Sequence, residues 1–314
     1  MGAPLVSVIV PCYNAAAWLD ETFDCLERQS HSELEILAID DGSTDGTWER
    51  LERRTDPRLK RLRQENRGAA EARNAGLARA RGDYIQYLDA DDVIAPDKIA
   101  LQLEALRALG GRWVAASLWG RFRGNVRDTE WQPPWPEPRQ RGVDWLVHAW
   151  ADGDMMAPHG WLVPRPVADA AGPWNPKAGI NDDGEYFARV LLAADGVAQV
   201  PAARVHYRSG NASYSQRTDR WAWESLLNSY ELCARHLLAA EDSPRVRPAI
   251  VARLETFEYL AYPRFPDLVA RAEAISEELG LPPRRPHGGG RASRIAGRIV
   301  GWKATRRLAT LVRG

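Results

Sequence analysis

Two groups of carboxylates stand out as candidates for chemistry, Asp40-Asp41-Gly42-Ser43 and Asp89-Ala90-Asp91, the second followed directly by Asp92. An ionised carboxylate accepts hydrogen bonds and binds hard cations, yet Asp, Gly and Ser are also the usual residues of turns. The D-x-D pattern alone discriminates poorly, because ordinary Asp usage yields about one copy by chance in a chain of this length. The chain contains its own control in Asp152-Gly153-Asp154, which lies in irregular sequence. Asp89 and Asp91 instead follow the β-rich segment Tyr84 to Leu88, so position relative to a strand end separates the two copies.

The elements that must position these carboxylates are legible as repeated strand–helix units. Leu5 to Val10 reads as a buried strand stopped by Pro11, followed by a helix over Ala15 to Gln29 with Trp18, Thr22, Cys25 and Leu26 at helical spacing. Leu34 to Ile39 leads into a helix capped by Ser43 or Thr44 and reaching Arg54; Leu59 to Leu62 leads into Ala69 to Arg81; Tyr84 to Leu88 leads into Pro96 to Leu109. Such alternation predicts an α/β fold, a mostly parallel sheet flanked by helices. Ligands of such sheets sit beyond the carboxyl ends of the strands, which singles out Pro11 to Asn14, Asp40 to Ser43 and Asp89 to Asp92.

Farther on, Trp113 to Trp174 reads as irregular, with eight of the 13 Trp residues and four closely spaced prolines. Asp183 to Ala194 and residues 217 to 280 read as helical, Leu281 to Gly290 as a linker and Arg291 to Arg313 as a basic tail. Lys plus Arg equals Asp plus Glu at 42 each, so no overall field points to nucleic acid. Nine of the basic residues and no acidic one lie between Leu279 and Gly314, leaving an acidic body and a basic tail. Three widely spaced cysteines offer neither a disulfide framework nor a metal knuckle and favour a reducing, cytosolic setting. The apolar start lacks the basic flank of a signal peptide, and no run is long enough to cross a bilayer, so membrane contact is expected to be at most peripheral.

Read together, SVIVPCYN (7–14), IDDGSTDGT (39–47) and ENRGAAEARNAGLARARGDYIQYLDADD (65–92) resemble family 2 glycosyltransferases. The resemblance continues more weakly through residues 159–165, 172–175 and 181–189 and ends near residue 215. It implies the A-type glycosyltransferase fold, with a nucleotide-sugar-binding half over 1–110 and an acceptor-binding half over 111–215. A helical extension over 216–280 and the linker and tail over 281–314 would follow. It also implies roles at the nucleotide sugar for Pro11, Tyr13, Asn14, Asp40, Arg67, Arg73 and Asp89. Tyr13 would stack on the base and Asp40 would accept from its N–H; Arg67 and Arg73 would serve ribose or phosphate oxygens, unless they are merely solvated.

By the same resemblance Asp91 would bind Mg²⁺ or Mn²⁺, with Asp89 on the ribose or an outer contact of the ion. Asp183 would be the general base, with Asp182 the weaker candidate, because Asp182-Asp183 followed by Arg189 reproduces the family's spacing. A helix N-terminus alone would also favour these acids. One departure is that Tyr207-Arg208-Ser209-Gly210-Asn211-Ala212-Ser213 places Gly where family members often carry His, and His206 lies four residues earlier.

The expected activity is inverting, metal-dependent transfer of a sugar from a nucleotide sugar to a hydroxyl of a saccharide or lipid-linked saccharide, in cell-surface polysaccharide or glycoconjugate assembly. A catalytically silent nucleotide-sugar or glycan-binding module is the alternative. A sugar-1-phosphate nucleotidyltransferase fits less well, since PCYNAAAW has neither the Gly nor the cation needed to hold a triphosphate. Trp161 and Trp174 are candidates either for stacking on sugars or for the core. The tail carries Ile295, Ile299 and Trp302 on one helical face beside Arg298 and Lys303. It reads either as a peripheral membrane anchor or as a basic segment packed on the acidic body or left disordered.

Overall fold

The apolar run after Leu5 forms β1 (Val6–Cys12), which continues through Pro11 instead of stopping there. In the computed structural model, which describes residues 2–153, 156–210, 217–281 and 302–313, Ile9 offers its carbonyl to Leu88 (3.0 Å) and Cys12 offers its carbonyl to Asp41 (2.8 Å). Alternate residues face alternate neighbours, so Pro11 faces the side on which β4 (Tyr84–Tyr87) has already ended. Its missing N–H therefore breaks no ladder bond.

β2 (Leu34–Asp40) pairs in parallel with β1, and β3 (Leu59–Arg63) with β2, giving the order β3-β2-β1-β4. The connections are α1 (Leu19–Glu27), α2 (Thr47–Arg53) and α3 (Ala69–Leu77). The expected cap of α2 by Ser43 or Thr44 does not form, because Gly46 in the left-handed region starts the helix. Both residues bond the neighbouring Asn14 loop instead, and Asp45 takes the N–H and hydroxyl of Thr47 at 3.0 and 2.5 Å.

Past β4 the sheet becomes mixed. β9 (Trp161–Pro164) runs antiparallel to β4 and to β6 (Trp113–Phe122); β6 pairs in parallel with β10 (Gly196–Arg208); β5 (Val93–Ile94) closes that edge antiparallel to β10. Two short strands, β7 (Glu130–Trp131) and β8 (Arg139–Gln140), flank β6 and β10, while α4 (Lys98–Leu109) and α6 (Arg165–Ala171) complete this part. The segment read as irregular thus contains a ten-residue central strand. Its Val114, Ala115 and Ala116 are all buried, so no polar face alternates to announce a strand. β10 hides for another reason, since Pro201 sits at a register shift between Val200 and Arg204.

These strands all belong to one compact unit, comprising Met1–Gly142, Met156–Pro176 and Tyr186–Ala212. Val143–Met155, Lys177–Glu185 and Ser213–Gly314 form the other. Trp161 and Trp174 are core residues of the first unit: both are fully buried, and Trp174 stacks on Tyr186 with centroids 4.2 Å apart. The second unit holds most of α5 (Gly142–Asp152), the first turn of α7 (Asp182–Ala193), and α8 (Arg220–Ala240), α9 (Val246–Ala261) and α10 (Pro266–Glu278). Asp219 caps α8 through the N–H of Ala222 (2.9 Å), and Pro266 opens α10, where a missing N–H costs nothing.

α11 (Trp302–Arg313) belongs to the same unit. Lys303 pairs with Glu273 at 2.7 Å, the Arg306 Nε–H reaches the Tyr259 carbonyl at 3.1 Å, and Trp302 meets Tyr262 edge to face. The linker 282–290, the tail residues Ile295, Arg298 and Ile299, and Asp154 of the control D-x-D lie outside the described residues. Among the described residues no helix is long and apolar enough to cross a membrane.

Candidate functional site

The carboxyl ends of β1 and β2 are tied to each other. Asn14, at φ 48°, donates its N–H to Ser43 Oγ (3.0 Å) and accepts the Thr44 N–H at Oδ1 (2.9 Å), while Ala15 N–H bonds Thr47 Oγ1 (2.8 Å). Between them Tyr13 is 55% exposed, an unusual state for a ring of that size beside a buried strand. Pro11 lies opposite Ile39, one residue before the paired part of β1 ends at Cys12 opposite Asp40.

Asp40 and Asp41, adjacent and of one type, have different surroundings. Asp41 Oδ1 accepts the Arg67 N–H (2.9 Å) and Gln64 Nε2–H (2.7 Å), and its Oδ2 accepts the Gly68 N–H (2.8 Å), so this carboxylate fixes the start of α3. Asp40 is fully buried and takes the Ser43 N–H at Oδ1 (3.3 Å). Arg63 Nε lies 3.0 Å from its Oδ2, but no donor among the described residues makes a hydrogen bond to that oxygen. Gly42, directly after the pair, at φ 76°, admits no side chain, since a Cβ would stand 2.8 Å from the Asn66 backbone nitrogen. Arg67 points into solvent, 3.6 Å from Glu71.

The Asp89 to Asp92 loop is held from several directions. Arg73, read as either a ligand contact or a solvated residue, is buried; it donates to Asp89 Oδ1 (2.8 Å), and its guanidinium lies 4.4 Å from the centre of the Trp174 ring. The Thr22 hydroxyl is 3.0 Å from the carbonyls of both Ala90 and Asp92. Arg208 donates its Nε–H to the Asp91 carbonyl and its backbone N–H to Asp92 Oδ1, each at 2.7 Å, and its guanidinium also pairs with Glu21. Asp92 is buried with His159 Nδ1 3.0 Å from its Oδ2. Burial raises the Asp92 carboxyl above its ordinary range and Asp89 adds to that, against the opposing pull of His159. The Cys12 thiol at the end of β1 is likewise pushed up by burial first, then by the charges of Asp40 and Asp89.

Hard oxygens at Asp89 and Asp91 suit Mg²⁺ or Mn²⁺. Among the described residues no three or more His, Cys, Asp or Glu side chains gather to hold a metal. His206, four residues before Gly210, has its Nδ1 2.7 Å from Thr129 Oγ1, and burial, then the charges of His159 and Arg204, lowers it to about 4. Gly210 adopts φ 91°, a conformation that a histidine in the same place would enter only under strain.

Asp183, grouped with the second unit, lies in the first turn of α7 and accepts the Gly184 N–H at Oδ1 (2.8 Å). Asn181, just before the helix, is fixed by Ser229 through bonds of 2.8 and 3.0 Å. The neighbouring Glu185 is buried against His236 (3.0 Å). Arg189 serves structure, donating to the carbonyls of Ala171 and Pro173.

Residues 7–157 match the family model described as glycosyl transferase family 2. That stretch, just under half of the chain, carries the family's pattern. The chain is 44% identical over 107 residues to an uncharacterized glycosyltransferase of Haemophilus influenzae, covering 33% of this chain and 42% of that protein. Against the putative teichuronic acid biosynthesis glycosyltransferase TuaG of Bacillus subtilis it is 45% identical over 104 residues, 32% of this chain and 41% of the relative. The match therefore spans about two fifths of these relatives. In fold the chain resembles S. aureus TarS 1-349 in complex with UDP-GlcNAc, with a TM-score of 0.73 and 17% identity over 98% of this chain and 92% of that one. It also resembles the mannosyltransferase PcManGT from Pyrobaculum calidifontis in complex with GDP-Man and Mn²⁺, with a TM-score of 0.57 and 20% identity over 99% and 87%.

Of the residues singled out in the sequence, Tyr13, Asn14 and Asp40 lie at the carboxyl ends of β1 and β2, and Arg73 meets Asp89 just after β4. Sequence reasoning missed Thr22, His159 and Arg208 as supports of the Asp89 to Asp92 loop. Their contacts span 67 residues or more, and only the weaker resemblance over 159–165 and the Tyr207-Arg208 segment touched two of them.

Proposed function

We propose that this protein transfers a glycosyl group from a nucleoside diphosphate sugar to a hydroxyl of a saccharide or lipid-linked saccharide, with inversion and with Mg²⁺ or Mn²⁺. The observation that carries the reading is the convergence of exposed Tyr13, buried Asp40 and the Arg73–Asp89 pair at the carboxyl ends of β1, β2 and β4. Tyr13 stacks on the base, and the Asp40 oxygen lacking a hydrogen bond accepts from the base N–H. Such stacking is worth about 1 to 3 kcal/mol in nucleic-acid analogues. Arg73 acts through Asp89, whose pose it fixes toward the ribose, and exposed Arg67 is available to phosphate oxygens. Asp91, with Asp89 as an outer contact, would hold the divalent cation, which when bound stabilises charge on the departing diphosphate. Asp183 takes the proton of the attacking hydroxyl, as inversion requires.

The names of TuaG and TarS's donor complex support a role in cell-surface polysaccharide or glycoconjugate assembly and a nucleotide-sugar donor. Three buried cysteines that form no disulfide support a cytosolic setting. Engagement of Lys303, Arg306 and Arg307 with Glu273, Tyr259 and Tyr262 supports a tail packed on its own helices over one held on anionic lipid. Hydrolysis of isotope-labelled UDP-GlcNAc, UDP-Glc and GDP-Man with and without Mn²⁺ tests the reading. Sugar release that stops on chelation is expected; Mn²⁺-dependent nucleotide binding with no release from any donor would make the protein a binding module.

A further inference from the structure

Every backbone carbonyl from Ala90 to Asp92 is claimed by a side chain from a distant element. The Thr22 hydroxyl, on α1, has one proton and faces two acceptors, the Ala90 and Asp92 carbonyls, at equal distances of 3.0 Å. Thr22 is fully buried, so water offers no substitute for this contact. A threonine inside a helix commonly turns its hydroxyl to its own helix; this one spends it on the loop. From the opposite side Arg208, on β10, takes the Asp91 carbonyl with Nε–H and the Asp92 carboxylate with its N–H, both at 2.7 Å. The Arg208 side chain is itself fixed by Glu21, which adjoins Thr22 on α1, and by the Phe122 ring 4.4 Å from its guanidinium. One turn of α1 therefore grips the loop twice, directly through Thr22 and indirectly through Glu21 and Arg208.

We propose that Thr22 and Arg208 are positioning residues that hold the Asp91 backbone in one pose, so that its carboxylate meets a divalent cation without first being ordered. The inference rests on the reading of Asp91 as the cation-binding residue. A free loop of three residues would sample many poses, and fixing one of them only when the ion arrives would weaken binding.

The test uses the full chain and titrates Mn²⁺ alone, and with UDP or GDP, reading free Mn²⁺ by electron paramagnetic resonance. Thr22→Val keeps the shape and removes the hydroxyl; it should weaken Mn²⁺ affinity about 10- to 100-fold, the usual effect of losing an outer support of a metal ligand. Thr22→Ser should return affinity to near that of the natural chain. Arg208→Lys, which keeps the charge but loses the Nε–H, should weaken binding to a similar degree and replaces Thr22→Val if the latter does not fold. Melting temperature measured without metal separates the two effects, because a merely structural role lowers it while leaving the Mn²⁺ affinity of folded protein unchanged. Folded Thr22→Val or Arg208→Lys that binds Mn²⁺ normally, while Asp91→Asn does not, overturns the positioning role alone. Normal Mn²⁺ binding by Asp91→Asn, or none by the natural chain, removes the cation reading and this proposal with it.

Discussion

At the carboxyl ends of β1, β2 and β4, charged groups are fixed by partners far away in sequence, whereas in α8 to α11 many pair with neighbours about a turn away. Arg208 reaches Asp91 across 117 residues, and Arg73 reaches Asp89 from a different element. Arg245 pairs with Glu241, Arg247 with Asp242 and Arg217 with Asp219, all near the surface. Exposed pairs of the latter kind contribute little, typically about 0 to 1 kcal/mol. The sheet edge spends its charges on geometry, and that geometry exists only once the whole sheet has formed. The helical unit can lose a pair at little cost.

The largest effect should come from Asp91→Asn, which is expected to abolish metal-dependent transfer and to weaken nucleoside diphosphate binding in Mn²⁺, since an amide is a poor ligand for a hard cation. Transfer assays with Asp154→Asn as the control check this; a more damaging control would move the site. Asp183→Asn is where the comparison can break, because Asp183 groups with the helical unit yet is assigned chemistry. Turnover should fall by about 10² to 10⁴, the usual contribution of a positioned base, with donor affinity nearly unchanged. Near-normal turnover, or a product of retained configuration, would return Asp183 to a purely structural place.

Glu258 sharpens the comparison from the other side. It is buried on α9, and burial, then Glu273 and Glu255, raise it to about 8 against the opposing charge of Lys303. Folded protein keeps this proton through neutral pH while unfolded chain loses it near the ordinary carboxyl value. Stability is therefore present at low pH and lost as pH rises from about 4.5 to 8. Glu258→Gln should flatten that slope and raise the melting temperature by a few degrees above pH 8, without altering transfer, as thermal melts across pH and parallel assays will read. The smallest response is expected of the thiols. Cys12, Cys25 and Cys233 are buried, and burial pushes Cys25 up to about 12, so native protein should not react with a thiol reagent until it unfolds.

The first four strand–helix units were legible because short strands alternate with helices of ordinary period, the strands being largely apolar except for β3, where only Leu59 is buried. β6 and β10 were not, since a strand buried on both faces shows no alternation and Pro201 interrupts the other at its bulge. At the site, the resemblance chose Asp40 over Asp41 for the nucleotide, but nothing in the sequence says what Asp41 does. That depends on which carboxylate meets the N–H groups of Arg67 and Gly68 after β3 has been laid beside β2. Thr22 was legible only as one more residue on the buried face of α1. Nothing local to it announces a hydroxyl directed at carbonyls 68 and 70 residues downstream.

Asn14 has a kinetic consequence. Its two bonds to Ser43 and Thr44 close the loops after β1 and β2 onto each other. A nucleotide bound there as proposed meets two loops already joined, so its association should follow encounter and orientation, and competing nucleotides should differ chiefly in residence time. Selectivity among donors would then be a matter of how long each one stays.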